Sequence, residues 1–127
     1  MSDQQDRPIR LVRAICLGLP ETTERLSHGA PTWFIRDKTV FVTFWENGHH
    51  QHQSPHLWCA APPGEQEALI AADPERFFRP PYVGGRGWIG VRIDDDTDWA
   101  EVAELCEESY RIVAPKSLVK RLDSAAD

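Results

Sequence analysis

The chain of 127 residues carries 14 Lys and Arg against 20 Asp and Glu, for a net charge of −6. A chain of this length buries roughly two-thirds of its unfolded surface in one domain without disulfides or metal. Its acidity works against non-specific attraction to phosphate backbones or anionic lipid, so any nucleic-acid site must be a local basic patch.

The first helix is expected over residues 7–17, capped by Asp6, with Pro8 tolerated in its first turn, Leu11, Val12, Ile15 and Cys16 as its apolar face, and Gly18 and Pro20 as its stop. Residues 22–28 alternate as an edge strand does, and Gly29-Ala30-Pro31 turns the chain. Residues 32–36 and 39–45 are rich in β-branched and aromatic side chains, with Asp37-Lys38 between them as the turn of a hairpin. Residues 46–55 are polar and contain Asn47-Gly48, so His49, His50, His52 and His56 fall in or beside a loop, before a strand over 56–61. A helix over 65–72 ends at Asp73-Pro74, and 75–79 reads as one more helical turn presenting Phe77 and Phe78.

Residues 77–96 concentrate rings, glycines and arginines ahead of a run of acids. From 86 to 93 the pattern alternates, with Ile89, Val91 and Ile93 facing a core and Trp88, Gly90 and Arg92 facing away from it. Asp98 and Glu101 have capping-box spacing before an amphipathic helix whose stripe is Trp99, Val102, Ala103, Cys106, Tyr110 and Val113. After Ala114-Pro115-Lys116 a short helix is expected over 117–122, with frayed residues at 123–127. The order α-β(3-4)-α-β-α suits an α+β fold of one domain, its core at about 7–122: a curved antiparallel sheet of about five strands with helices packed on one face.

Gly85-Arg86-Gly87-Trp88-Ile89-Gly90 matches the letters GxGxxG, but here the glycines precede a strand instead of opening a helix, which excludes a dinucleotide fingerprint. Two readings stay open. The glycines permit positive φ in a tight loop, or bare amides beside Arg86 form an anion cradle. Cys16, Cys59 and Cys106 are widely spaced among apolar neighbours and read as buried thiols, and the histidines as a solvated loop, so neither a metal nor a cofactor is assigned. Of the five tryptophans Trp99 belongs to the helix stripe, whereas Trp58 and Trp88 serve as lids over the sheet or as stacking platforms. Eight acids between Asp94 and Glu108 separate the arginines before them from Arg111, Lys116, Lys120 and Arg121. That leaves either a solvated face or a basic patch joining the two cationic groups. No nucleophile elbow, HExxH, P-loop or paired carboxylates are present, and Ser27 and His28 point apart if both are in a strand, which favours a binding module over an enzyme.

The order Leu19-Pro20-Glu21, His28-Gly29-Ala30-Pro31-Thr32-Trp33, Pro81-Tyr82-Val83-Gly84-Gly85-Arg86-Gly87-Trp88, Asp98-Trp99 and Ser109 to Lys116 resembles the MmcQ/YjbR family, formerly a domain of unknown function. The resemblance runs from about residue 7 to 122 and rests on several separated motifs in order. It implies a compact α+β fold compared in shape with double-wing DNA-binding domains, an analogy of fold that does not establish an activity. Pro31, Tyr82, Gly84, Gly85, Gly87, Trp88, Pro115 and Lys116 match recurrent motif positions, while the histidine-rich loop and the acidity depart from the pattern.

The candidate ligand-binding residues are therefore Arg79, Tyr82, Gly84, Gly85, Arg86, Trp88, Arg92 and Lys116, with no catalytic and no metal residues assigned. The expected ligand is nucleic acid or another polyanion, held by phosphate contacts and stacking. The alternatives are a small anionic metabolite at the Gly84 to Gly87 loop, with or without turnover, and a protein partner on the acidic helix. No apolar run approaches the roughly 20 residues that span a bilayer, and residues 1–6 lack the basic-then-apolar order of a signal peptide, so a cytoplasmic protein with no membrane partner is expected. The oligomeric state is not legible in the sequence.

Overall fold

The structure, a computed structural model, describes residues 3–46 and 54–126. The Asn47-Gly48 turn, His49, His50 and His52 lie outside the described residues, as does Asp127. Four helices and six strands are described: α1 (Asp3–Leu17), β1 (Thr22–Ser27), β2 (Ala30–Ile35), β3 (Thr39–Trp45), β4 (His56–Cys59), α2 (Glu65–Ala72), β5 (Phe77–Phe78), β6 (Ile89–Arg92), α3 (Trp99–Val113) and α4 (Lys116–Ala126), with a 3-10 turn at Gly84–Arg86 before β6. The strands form one antiparallel sheet in the order β1-β2-β3-β4-β6-β5, and the helices pack their apolar residues on one of its faces. The α+β architecture is the expected one, with six strands instead of about five.

Two tight hairpins start the sheet. His28 and Gly29 (φ 53 and 81) turn β1 into β2, and Arg36 and Asp37 (φ 54 and 58) turn β2 into β3. Positive φ at both central residues is the geometry whose twist matches that of the flanking strands. Each turn therefore sits one residue earlier than the sequence suggests: Pro31 is already in β2 opposite Leu26, and the Lys38 amide closes its turn by donating to the Ile35 carbonyl.

The β2–β3 register shifts between Trp33 and Phe34, so that Trp33 faces Val42, Phe34 faces Val40, and Phe41 is the extra residue of a β-bulge. The bulge lets two successive side chains, Phe41 and Val42, point into the helix-side core, where both are fully buried beside Trp33, Ile35, Phe44, Leu57, Ile89 and Tyr110. Large side chains of this kind stabilise the fold by roughly 2–3 kcal/mol each. Helix α3 fastens the bulge. The buried Ser109 hydroxyl donates to the Phe41 carbonyl at 2.6 Å and accepts the Ala60 amide at 2.8 Å, while Tyr110 meets Phe41 edge-on at 5.5 Å and donates to the Pro20 carbonyl at 2.7 Å.

Several boundaries differ from expectation for identifiable reasons. Helix α1 begins at Asp3, so Asp6 does not cap it, and Pro8 lies inside it beyond the first turn, where its missing amide removes one helical bond. Phe77 and Phe78 form an edge strand, because pairing with Val91 and Gly90 overrides their local preference for a helical turn. Helix α4 starts on the Pro115 carbonyl, which accepts from Leu118 and Val119, and continues to Ala126, with Asp123 held 2.8 Å from Arg111. Asp98 caps α3 as expected, accepting from the amides of Ala100 and Glu101.

Cys16, Cys59 and Cys106 are buried free thiols that converge in the helix-side core. Burial pushes the Cys16 and Cys59 thiols well above their ordinary value, and Cys106, hydrogen-bonded to Cys16, adds to the rise at Cys16. That environment withholds the thiolate needed for reaction.

An ion pair ties α1 to the sheet. Arg13 donates twice to Glu24, at 2.7 and 2.9 Å, and the Trp33 indole donates to the same carboxylate at 3.1 Å. The Arg13 hydrogen bond chiefly holds the Glu24 carboxyl below its ordinary value, against the opposing effect of burial. A carboxylate with a depressed folded-state pKa stabilises the fold above its unfolded value, and that stability is lost as pH falls through the folded value. Glu24→Gln is expected to cost about 1 kcal/mol at neutral pH, discounted for the exposure of Arg13. In thermal unfolding against pH, the gap between variant and wild type should close below the ordinary carboxylate value of 4.5. A gap that persists at lower pH would show that the pair is not its source.

Candidate functional site

Alternation along the strands assigns every other side chain to the helix-free face of the sheet. Val40, Thr43 and Trp45 of β3, Trp58 of β4, and Phe78 opposite Gly90 lie there, and Trp58, Ala60, Phe78 and Trp88 form a second buried cluster. Trp58 and Trp88 are only 6% and 5% exposed, so their first role is the lid that the sequence suggested. Trp45 lies against Trp58 with ring centroids 4.9 Å apart.

Beside these rings is an open cavity of about 810 Å³. Its aromatic wall is Trp45, Trp58, Trp88 and Tyr82. Ser27, Thr39 and Thr43 also line it, with Thr32, whose buried hydroxyl donates to the Ala30 carbonyl, and the cationic groups are Lys38 and Arg86, with the imidazole of His28 nearby. No Asp or Glu is among the described residues that line it. Arg86 lies with its guanidinium carbon 5.4 Å from the Trp88 ring centroid.

The loop carrying Tyr82, Arg86 and Trp88 is fastened from below. Gln66 of α2, itself buried, donates from Nε2 to the carbonyls of Gly84 and Trp88, at 2.9 and 2.5 Å. Of the loop glycines only Gly87 has positive φ (89). Gly84 is required for a different reason: a β-carbon there would stand 2.7 Å from Arg79 Cγ, because the stem of Arg79 lies along the backbone of Gly84 and Gly85. The amides of Arg86 and Gly87 are already bonded to the carbonyls of Val83 and Gly84, which removes both from any anion cradle. β6 follows the glycines, consistent with the exclusion of a dinucleotide fingerprint.

The candidate residues therefore divide. Tyr82, Arg86 and Trp88 meet at the cavity, and Arg79, Gly84 and Gly85 form the back of the same loop. Arg92 is elsewhere: its guanidinium stacks over Phe78 at 4.7 Å and donates to the carbonyls of Pro74 and Glu75. Lys116 opens α4, which packs through Leu118 and Leu122 into the helix-side core. Charges separated along the chain are interleaved in space, with Arg76 on Asp94, Arg111 on Glu107 and Asp123, and Arg121 on Glu21.

Sequence reasoning did not select Lys38, Trp45, the threonines or the Ser27-His28 pair. The signal for the β3 residues was period-two alternation, which the bulge at Phe41 interrupts. Ser27 and His28 both line the cavity because His28 is in the turn and not in the strand. Among the described residues no group of three His, Cys, Asp or Glu side chains is placed to hold a metal ion, and no helix is long and apolar enough to cross a membrane.

A comparison with curated proteins found no match. Among solved structures, the Deinococcus radiodurans protein DR2400, which carries the DUF419 domain, is similar with a TM-score of 0.72 at 19% identity, covering 91% of this chain and 87% of that one. That likeness concerns the fold alone. The profile of the YjbR family matches residues 17–112, from the last residue of α1 almost to the end of α3, and takes in the whole sheet and the cavity loop. The chain belongs to the YjbR family.

Proposed function

We propose that this protein is a binding module whose cavity receives a small, planar, negatively charged organic molecule. The observation that carries this reading is the wall of the cavity: four aromatic side chains, Lys38 and Arg86, and no described carboxylate, in a chain with net charge −6. Concave, ring-lined sites of a few hundred to about 1,000 Å³ with few polar groups are the usual form of small-molecule pockets. An acid-free wall in an acidic protein concentrates positive potential at one place.

An extended polyanion is the weaker reading. Binding successive phosphates requires a row of cations. Arg76, Arg111 and Arg121 are paired with carboxylates and Lys116 is on the helix side, while Lys38 and Arg86 line the cavity and Arg79 lies behind its loop. Two cations at the wall, with one more behind the loop, suit one anionic group better than a strand.

Intrinsic tryptophan fluorescence, read with thermal shift, tests the proposal at low and moderate salt. AMP and naphthalene-1-sulfonate supply ring plus anion, adenosine the ring alone, inorganic phosphate the anion alone, and a single-stranded oligonucleotide the polyanion. The expected result is binding of at least one ring-plus-anion probe, tighter than either part, with Arg86→Ala weakening it about tenfold. Binding by no ring-plus-anion probe, or equal affinity after Arg86→Ala and Lys38→Ala together, would overturn the reading. Salt-sensitive binding of the oligonucleotide alone would return it to the polyanion.

A further inference from the structure

At residue 82 the chain adopts a backbone conformation that a bulky L-residue rarely takes. Tyr82 has φ 65, and across it the Val83 amide donates to the Pro81 carbonyl at 2.6 Å, a γ-turn of the strained, positive-φ kind. Its flanks fix it in place. Pro80 is buried, Val83 packs on the Trp58 and Trp88 cluster, and Gln66 holds the Gly84 carbonyl. Glycine would meet this geometry with less strain. The chain instead places there a phenol ring that is 77% exposed and lines the same cavity as three tryptophans.

Positive-φ strain held in place by its surroundings, together with an exposed ring at the rim of a cavity, is a pattern that clusters at ligand-binding sites. We propose that Tyr82 is a binding residue of this cavity that stacks on the ring of the planar anion, opposite the tryptophan wall, while Arg86 and Lys38 take the charge. This rests on the cavity being the binding site. Stacking on an exposed aromatic platform is tolerant of ring identity, so the residue selects for planarity and not for one particular heterocycle.

The test compares wild type, Tyr82→Asn and Tyr82→Phe for binding of AMP and naphthalene-1-sulfonate, with thermal unfolding measured on the same samples. Asparagine is found at positive φ more often than tyrosine and lacks the ring. Tyr82→Asn is expected to weaken probe binding about tenfold or more. Its unfolding midpoint should equal that of wild type or exceed it by a few degrees, and Tyr82→Phe should bind as wild type does. Wild-type affinity in Tyr82→Asn, with affinity lost in Arg86→Ala, overturns this inference and leaves the cavity reading standing. A clear fall in the midpoint of Tyr82→Asn also overturns it, because the ring would then serve the fold. Binding of neither probe by wild type overturns both readings.

Discussion

Gly90→Ala is expected to destabilise the fold by about 2–3 kcal/mol, although alanine is ordinarily better tolerated than glycine inside a strand. A β-carbon at this position would stand 2.4 Å from two atoms of the Phe78 ring and 2.7 Å from a third. Phe78 faces Gly90 across the β5–β6 pair, so the ring lies directly over the bare backbone. It has little room to retreat: His56 meets it edge-on at 5.1 Å, the Arg92 guanidinium stacks over it at 4.7 Å, and it is buried with Trp58 and Trp88. Urea denaturation gives the loss directly. The double variant Gly90→Ala with Phe78→Leu should recover part of it, giving a coupling energy of about 1 kcal/mol or more. Additive losses would mean that the ring is not what excludes the methyl group.

Ser109→Ala is the second large effect, at about 3 kcal/mol. One hydroxyl serves two backbone groups, one in β3 and one just after β4, and its removal leaves the Phe41 carbonyl and the Ala60 amide without it in the buried interior. A buried polar group without a partner costs about 1–3 kcal/mol, far more than the net value of a made hydrogen bond. Because Phe41 is the bulged residue and stands outside the β2–β3 register, its carbonyl cannot simply fall back on the ladder. The denaturation midpoint should fall with the slope unchanged. A loss below about 1 kcal/mol would mean that the two groups find other partners.

Both effects show where reading the sequence stops. The alternation of Ile89, Val91 and Ile93 against Trp88, Gly90 and Arg92 is visible in the chain, as are the β2–β3 hairpin, the Asp98 cap and the α3 stripe, because each depends on neighbours within one period of helix or strand. The bulge at Phe41 depends on a serine 68 residues away, and strand β5 exists only because β6 lies beside it. The cavity is harder still. Tyr82, Arg86 and Trp88 could be chosen because the segment itself is unusual, but Lys38 and Trp45 look like ordinary hairpin residues until pairing brings β3 and β4 together. In the sequence Arg92 and Lys116 look like members of the first group, because charge is legible along a chain while the face it ends on is not.

The sheet also has two ends. Among the described residues, six strands in a row leave one side without a neighbouring strand at β1 and another at β5, the positions at which a foreign chain would add itself to the ladder. β5 offers only two residues of extended backbone before Arg79, Pro80 and Pro81, and proline has no amide to donate. β1 is longer, but its middle is the adjacent pair Glu24 and Arg25, each held by an ionic partner in its own molecule. The protein thus limits templated β-aggregation by brevity and proline on one side and by anchored charge on the other.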